Sequence, residues 1–439
     1  MARRNEDFDE FCDPKNPRDI KQPDVEDAAQ RLKAHIVNSP CVPSRFQREF
    51  VIKLYYKLEI LQKSGSFKDR GIVNMLQLLP LEKKKLGVVI ASIGNEAAAA
   101  SYHAAQMSIP LIVVMPQNVP IAKLQKCHNF GAKVIVQGSN LMESQKHARS
   151  IAREKGLAYI NCRDHPHILE GYGTLALEIV DQIPNLDAVI VPVGAGGLAA
   201  ALATVLKTVK PNCLIYGVQP ESNHAFFQSL ENGDPTFAPI QPTIADAIAT
   251  PNIGINSFHN AKQSLDKMLL VKEDCIARSI VHLIEKERYV CEGAGACPLA
   301  AIIGSLVPEL KTKNVVCILT GGNIDQSTLN RCLDRGLSAE GRLVKFSVGI
   351  KNNLTANSRL LNLLAQGGFN VIRYFKEKLW TENEVCLATI KIVCEAKCME
   401  HALELKRIIE RAYPCTSLFE TEPFNDKRTC PCYIRKHLQ

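Results

Sequence analysis

The stretch Ser64-Gly65-Ser66-Phe67-Lys68-Asp69-Arg70-Gly71 places a lysine among glycine and hydroxyl-bearing residues. It follows an alternating segment, residues 51–59, and precedes an apolar run with helical spacing, residues 72–79. The pattern predicts a strand, a loop and a helix start, in that order. Lys68 is then either an ordinary surface lysine near a helix start or an amine held in a glycine-lined cleft to form a Schiff base. The rest of the chain decides between these two interpretations.

Short apolar runs alternate with helical patterns through most of the chain. The strand-like runs cover 86–91, 111–115, 133–137, 158–161, 188–193, 214–219 and 315–319, and the helical patterns cover 96–106, 122–130, 141–155, 171–182 and 198–209. This alternation predicts an α/β fold with doubly wound parallel sheets that helices cover on both faces. Such sheets bind ligands at the carboxyl ends of their strands.

The pattern changes near residue 342. Strands are predicted at 343–350, 369–374, 384–393 and 415–419, and helices at 354–366 and 399–412. The order βαββαβ predicts a ferredoxin-like unit. At the other end, the polar residues 1–22, with prolines at Pro14 and Pro17, predict a flexible leader. We therefore divide the chain into a leader (1–22), a main domain (23–330), a linker (331–341) and a C-terminal domain (342–432).

Two loops that follow predicted strands carry groups suited to an anion or a carboxylate. The run Gly194-Ala195-Gly196-Gly197-Leu198 opens a helix, where converging backbone amides form either a phosphate cradle or a tight structural turn. Ser92-Ile93-Gly94-Asn95 can hold a carboxylate or a cofactor oxygen, or it is a helix N-cap with Glu96 in the first turn.

A third loop, Thr320-Gly321-Gly322-Asn323, ends another apolar strand. Thr320 can donate a hydrogen bond to a ring nitrogen, or it is a turn hydroxyl. A phosphate cradle, a lysine in a glycine-lined loop and a hydroxyl at a third loop belong together if the ligand is pyridoxal 5'-phosphate. The three loops therefore favour the Schiff-base interpretation of Lys68.

Composition narrows the function classes. The 439 residues are 46% hydrophobic and 22% charged, with a net charge of +8 spread along the chain, which does not favour nucleic-acid binding. The 16 cysteines are scattered, without paired CxxC motifs at zinc spacing, so we predict reduced thiols and no metal site. An acidic N-terminus and the lack of a 20-residue apolar run predict neither a targeting signal nor a membrane span, and so a cytoplasmic protein.

In the four motifs that contain Lys68, Ser92, Gly194 and Thr320, the sequence resembles the fold-type II pyridoxal-phosphate enzymes. Within that group it resembles threonine dehydratase (threonine ammonia-lyase) and serine racemase. The resemblance covers residues 24–330. The C-terminal unit resembles an ACT-like regulatory domain. The resemblance implies a lyase that removes water and then ammonia from L-threonine or L-serine, leaving 2-oxobutyrate or pyruvate. A small amino-acid substrate and a homo-oligomer are the expected partners.

The resemblance also implies roles for particular residues. Lys68 would form the Schiff base and act as the base at the substrate Cα, and Phe67 would pack beside the cofactor ring. Thr320 would contact the pyridine nitrogen, and Asn95 the ring hydroxyl oxygen. The remaining contacts would come from Gly194, Ala195, Gly196, Gly197 and Leu198 to the phosphate and from Ser92, Gly94 and Asn95 to the substrate carboxylate.

Two positions depart from the pattern of the family. Serine racemases have a serine as a second base where this chain has Ile93, which cannot take a proton, so racemisation is disfavoured. Glu96 stands beside the expected carboxylate site, where its charge would repel an amino acid unless it points away. The alternatives to the lyase are accordingly a serine racemase-like isomerase and a catalytically weak homologue that senses amino acids through its C-terminal domain.

Overall fold

The computed structural model describes residues 9–377, 387–414 and 416–421. It separates two compact units, one ending at Leu329 and the other beginning at Asn330. Parts of four predictions lie outside the described residues: the start of the leader (1–8), the starts of the strands at 384–393 and 415–419, and the end of the C-terminal domain (422–432). Among the described residues, no helix combines the length and the apolar character needed to cross a bilayer.

The first unit alternates strands and helices. Its strands are β1 Cys41–Pro43, β2 Lys53–Lys57, β3 Val88–Ala91, β4 Leu111–Met115, β5 Lys133–Val136, β6 Ala158–Tyr159, β7 Ala188–Pro192, β8 Leu214–Pro220, β9 Lys267–Val271 and β10 Asn314–Ile318. Its helices are α1 Gln22–Leu32, α2 Gln47–Phe50, α3 Lys68–Leu78, α4 Leu81–Leu86, α5 Asn95–Gln106, α6 Ile121–Asn129, α7 Leu141–Lys155, α8 Pro166–Gln182, α9 Gly197–Val209, α10 Ala225–Asn232, α11 Ile255–Ala261, α12 Glu273–His282 and α13 Gly293–Ile303. The next helix, α14 Gln326–Ala339, contains the boundary between the two units.

These strands form two sheets. The larger has the order β1-β2-β10-β7-β8-β9 and is parallel except for β1, and the smaller has the parallel order β5-β4-β3-β6. Every residue of β7 is buried, as expected of a parallel strand with helices on both faces. The predicted doubly wound α/β fold is thus confirmed. The carboxyl ends of β7 and β10 in one sheet, and of β3 in the other, lead into the three candidate loops.

Part of the predicted leader, residues 9–20, forms hydrogen bonds with helix α11. Asn256 Oδ1 accepts a hydrogen bond from Arg18 N at 2.7 Å, and Asn260 Oδ1 accepts one from Ile20 N at 2.9 Å. Asn256 Nδ2 also donates to Phe11 O at 2.7 Å. The two asparagines lie four residues apart on one face of α11 and bind an extended backbone 240 residues away in sequence. Local composition carries no signal of partners so distant.

The second unit has its own core. Its elements are β11 Leu343–Lys351, α15 Leu354–Gln366, β12 Asn370–Glu377, β13 Leu387–Glu395, α16 Met399–Ala412 and β14 Ser417–Phe419. The sheet is antiparallel with the order β12-β13-β11-β14. Alternate residues of β11 and β13 are buried, including Phe346 and Ile392, and they pack with Leu360 and Leu405 of the two helices. The predicted ferredoxin-like arrangement is confirmed. Most of the predicted linker, 331–341, is the helical end of α14.

Candidate active site

The loop that contains Lys68 is held at the carboxyl end of β10. Phe67 N donates to Thr320 O at 3.0 Å, and Gly322 N donates to Gly65 O at 3.0 Å. Gly65 has φ +90°, and a Cβ there would lie 2.5 Å from Asn323 Oδ1. Glycine is required at this position because the backbone is left-handed and the neighbouring loop is in contact. The two loops therefore form one rigid wall of the site.

Arg70 anchors the helix that follows Lys68. Its side chain is fully buried and forms an ion pair with Glu59 at 2.8 Å and another with Glu178 at 2.7 Å. A buried guanidinium needs such partners because an unpaired charge in the interior is costly. The first turn of α3 is thereby fixed, and Lys68 is its first residue.

Lys68 makes an ion pair with Glu96, the second residue of α5. The distance from Lys68 Nζ to Glu96 Oε1 is 2.7 Å, and both side chains are about one-fifth exposed. The Nζ atom lies 4.9 Å from the ring centroid of Phe67 and 5.2 Å from that of Tyr172. Burial by itself lowers the pKa of the Lys68 ammonium, but Glu96 and Tyr172 outweigh burial and the pKa is raised above its ordinary value. Lys68 is thus a positively charged group in a small aromatic pocket.

Two buried hydroxyls lie beside this pocket: that of Ser66 has no hydrogen-bond partner among the described residues, and that of Tyr172 has none except the Lys68 ammonium. Tyr172 is 1% exposed and its ring packs on Phe67 with the centroids 4.8 Å apart. A Cβ on Gly197 would come within 3.5 Å of the same ring. Tyr172 therefore lies between Lys68 and the glycine loop. Buried hydroxyls without partners are costly unless a ligand supplies the missing hydrogen bonds.

The loop Gly194-Ala195-Gly196-Gly197-Leu198 joins β7 to α9. Gly196 has φ +103°, and a Cβ there would lie 2.3 Å from Cε2 of Phe226. The hydrogen bond from Ala200 N to Gly196 O, at 2.8 Å, begins the helix. The amides of the residues before Ala200 have no intrahelical acceptor, and the helix dipole adds partial positive charge there. This geometry suits an anion such as phosphate.

The loop Ser92-Ile93-Gly94-Asn95 follows β3. Ser92 is buried, Ile93 is 36% exposed, and a Cβ at Gly94 would meet no atom within 4 Å. Open space at Gly94 leaves room for a ligand against the backbone. The side chain of Asn95 is already engaged, because its Nδ2 donates to Glu292 Oε1 at 2.7 Å.

Glu292 and Asn323 complete this part of the site, and neither side chain was among the predicted site residues. Asn323 Nδ2 donates to Asn95 Oδ1 at 2.8 Å, so Asn95 is held from both sides. Burial and then the charge of Asp246 raise the pKa of Glu292 to about 7, against the opposing effect of the hydrogen bond from Asn95. A carboxylate directly before the glycine-rich start of α13 was the only signal of Glu292 in the sequence.

Lys126, from α6 beside the smaller sheet, also reaches the Lys68 wall. Its Nζ donates to Ser64 O at 3.0 Å and to the side-chain oxygen of Asn323. Burial lowers the pKa of this ammonium. Lys126 therefore links the two sheets across the site, a contact that no local pattern in the sequence predicts.

Thr320 is buried, with 3% of its surface exposed, and its carbonyl oxygen accepts the hydrogen bond from Phe67 N. The structure thus brings the four motifs around one pocket: Lys68 contacts Phe67, Tyr172 and Glu96, Tyr172 contacts the glycine loop, and the Thr320 loop pairs with the Lys68 loop. The predicted site residues lie in these loops. Their individual roles toward a ligand stay predictions.

Comparison with known proteins identifies the family to which this chain is related. A family model described as "Pyridoxal-phosphate dependent enzyme" matches residues 32–321. The chain is 34% identical over 387 residues to an L-threonine ammonia-lyase of Thermotoga maritima, covering 88% of this chain and 96% of that protein.

Solved structures agree with this relationship. The processed threonine deaminase isoform 2 of Solanum lycopersicum matches with a TM-score of 0.67 and 30% identity, over 73% of this chain and 95% of that one. The serine racemase of Dictyostelium discoideum matches with a TM-score of 0.66 and 31% identity, over 70% of this chain and 99% of that one.

Proposed function

Because this chain belongs to the family of pyridoxal-phosphate-dependent enzymes, we propose that it deaminates L-threonine, L-serine or both. The products are 2-oxobutyrate or pyruvate, with ammonia. The observation that carries the proposal is the position of Lys68, whose Nζ lies in a pocket formed by Phe67, Tyr172 and Glu96, at the point where the three ligand loops meet. The relatedness to enzymes named for threonine deamination supports the choice of substrate.

The residues present fit the cofactor. The backbone amides at the start of α9 and the left-handed Gly196 would form the cradle for the phosphate group. Lys68 is the amine that would join the aldehyde, and Phe67 and Tyr172 provide flat apolar surface for a ring. The neutral hydroxyl of Thr320 would face the ring nitrogen. When bound, the cofactor supplies an electron-withdrawing ring that stabilises negative charge at the substrate Cα.

The chain itself positions the substrate and moves the protons. Ser92, Gly94 and the backbone at Asn95 would hold the carboxylate in the open space beside Gly94. Lys68, once exchanged for the substrate amine, would take the proton from Cα. The wall formed by the Lys68 and Thr320 loops would help to orient the Cα–H bond toward Lys68, and such orientation is a large part of catalysis. Asn95 would contact the ring oxygen only in competition with Glu292, which already accepts a hydrogen bond from its Nδ2.

Racemisation needs a second group that returns a proton to the opposite face of Cα. Ile93 occupies the position that carries this group in serine racemases, and its side chain has no proton to give. Elimination of the β-hydroxyl is therefore the favoured outcome. D-serine would form from L-serine in quantity only if the isomerase alternative were correct.

The test combines the purified protein, pyridoxal phosphate and either L-threonine or L-serine, with detection of 2-oxo acid and D-serine. We expect release of 2-oxobutyrate or pyruvate, and at least about 10³-fold less release by Lys68→Ala. Lys63→Ala is the matched control, because Lys63 lies exposed in the same loop. Cofactor bound at Lys68 without 2-oxo acid from either substrate would refute the lyase and favour the amino-acid sensor.

The partners, the location and the role of the C-terminal unit follow from the same proposal. The small amino-acid substrate is the partner, and a cytoplasmic location agrees with the twelve described cysteines being free thiols. The C-terminal unit would act as an ACT-like regulatory domain. Its strand β12 exposes Ile372 and Phe375, which supports a homo-oligomer in which such apolar residues are covered.

A further inference from the structure

We propose that Glu96 is the proton acceptor that frees the Lys68 amine for its bond to the cofactor, and that it then returns the proton to the departing oxygen. The inference rests on the proposed role of Lys68 and not on the identity of the substrate. It assigns a function to a carboxylate that would otherwise only oppose an amino-acid substrate.

The geometry places Glu96 where an acceptor is needed. Its Oε1 lies 2.7 Å from Lys68 Nζ, and this is a direct contact without an intervening residue. The rings of Phe67 and Tyr172 occupy other sides of the ammonium. Glu96 is the second residue of α5, and its backbone is fixed by the start of that helix. The carboxylate is therefore held against Lys68 by an element of the opposite sheet.

Other titratable groups near the pair do not serve as acceptors. The phenol of Tyr172 on α8 and the thiol of Cys162 both approach Lys68 and Glu96, and Arg163 lies beyond them. Burial raises the pKa of the Tyr172 phenol and that of the Cys162 thiol, so both keep their protons at neutral pH. Arg163 is a permanent cation. Glu96 is thus the base in contact with the ammonium.

Chemistry requires such a base. An ammonium has no lone pair, and Lys68 is held as an ammonium because its pKa is raised. In the balanced step, Lys68 gives one proton to Glu96 and its nitrogen forms a bond to the aldehyde carbon. The carbonyl oxygen then leaves as water with two protons, one returned by Glu96 and one from the nitrogen. One proton stays on the nitrogen, and no oxidant or reductant is consumed.

The experiment measures two rates on cofactor-free, full-length protein. The first is acetylation of Lys68 by acetic anhydride, followed by mass spectrometry of its peptide, which requires only a free amine. The second is attachment of pyridoxal phosphate, followed by visible absorbance and by borohydride trapping on the same peptide. In Glu96→Gln we expect acetylation to rise about 10-fold, since loss of the ion pair lowers the lysine pKa. Attachment should instead fall by about 10-fold or more, since the proton acceptor is gone.

Opposite changes in the two rates distinguish a proton carrier from a structural ion pair. If both rates rise together in Glu96→Gln, or if attachment is unchanged, the inference is wrong. Glu96→Asp keeps an acid near Lys68 and should attach the cofactor faster than the glutamine variant; equal rates would also refute the inference. Trapping of the cofactor on a lysine other than Lys68 would contradict the proposed function instead.

Glu309→Gln is the matched control for loss of a carboxylate. Glu309 forms an ion pair of 3.0 Å with Lys267 on a partly exposed surface. We expect both rates of Lys68 to equal those of the wild type in this variant. If Glu96→Gln does not fold, Glu96→Asp compared with the wild type still tests the inference. The shorter aspartate side chain moves the carboxylate away from Lys68, so cofactor attachment should be slower than in the wild type, whereas acetylation of Lys68 should not be slower.

Discussion

Ile93 is the side chain that separates elimination from racemisation in the proposed site. It lies between Ser92 and Gly94 in the carboxylate loop and is 36% exposed. Lys68 approaches from the start of α3, so a base at position 93 would be a second base. The chemical difference between the two reactions thus depends on whether one side chain carries a transferable proton.

Replacing Ile93 with serine should introduce a measurable racemase activity. We expect D-serine formation from L-serine to rise about 10²-fold above that of the wild type, the lower end of what a positioned acid–base group contributes. Chiral chromatography of the amino acid after incubation measures it. Ile93→Ala controls for the space that the smaller side chain opens, and equal D-serine from both variants would contradict a role for the hydroxyl.

Glu292 makes the stability of the folded chain depend on pH, because burial raises the pKa of its carboxyl group. The group has an ordinary pKa of 4.5 and a pKa of about 7 in the folded chain. Below pH 4.5 it is protonated in both the folded and the unfolded states. Between pH 4.5 and pH 7 the folded state binds the proton more tightly, so the stability that this group contributes is lost as the pH rises through 7.

Glu292→Gln should therefore remove one component of the pH dependence of stability. Relative to the wild type, we expect its free energy of unfolding to increase by about 2.5 kcal/mol between pH 5 and pH 8. Urea unfolding at both pH values measures the difference. The glutamine retains an oxygen to accept from Asn95, so the hydrogen bond is not the variable. Parallel stability curves for the two proteins would contradict the raised pKa.

At the scale of elements, the candidate site is assembled from the first turns of three helices. The first residue of α3 is Lys68, that of α5 is Asn95, and α9 begins inside the glycine loop. Each helix follows a strand or loop at the carboxyl edge of a sheet. Such helix starts offer free amides and partial positive charge, which explains why phosphate and carboxylate groups are expected there.

The start of α9 can be tested with a matched pair of glycine substitutions. Gly196→Ala combines a left-handed backbone with a Cβ 2.3 Å from Phe226, whereas Gly233→Ala has the left-handed backbone, φ +80°, but open space around the Cβ. We expect a loss of about 1 kcal/mol in unfolding free energy for Gly233→Ala and at least about 3 kcal/mol for Gly196→Ala. Cofactor affinity, measured by absorbance titration, should fall only in the Gly196 variant. Equal losses would show that the close contact does not matter.

The hydrophobic patterns in the sequence predicted the bounds of some helices and strands but gave no indication of others. The predicted bounds of α7, α15, α16 and β4 agree with the structure because their apolar residues repeat with a clear period. The short edge strands β1 and β9 were not predicted. Strand β1 has 3 residues, too few for a period to show, and β9 pairs with β8 across the intervening segment 221–266. The contacts of residues 9–20 were not predicted either, since their hydrogen-bond partners lie on α11.

At the scale of the whole molecule, each of the two units has a large hydrophobic core of its own among the described residues. One fills the first unit around β7 and α9, and the other lies between the antiparallel sheet and helices α15 and α16. A unit with its own core can fold alone. All four candidate loops belong to the first unit.

A chain that ends at residue 341 should therefore retain the cofactor and the lyase activity. We expect cofactor attachment at Lys68 and 2-oxo acid release within about 3-fold of the full chain at saturating substrate, because the proposed site contains no residue of the second unit. Absorbance and 2-oxo acid assays on both proteins measure this. Loss of cofactor binding in a truncated protein that is still folded by circular dichroism would show that the second unit supports the site.

The sequence by itself determined the α/β class, the ferredoxin-like C-terminal unit and the four loops, because periodicity, glycine and helix starts are local properties. It also singled out Lys68, through three motifs that share one cofactor chemistry. Only the tertiary structure showed that Glu96 pairs with Lys68, that Tyr172 lies beside them, and that Glu292 accepts a hydrogen bond from Asn95. These contacts join helices from different parts of the fold. The sequence around a carboxylate or a hydroxyl does not indicate which distant group it will contact.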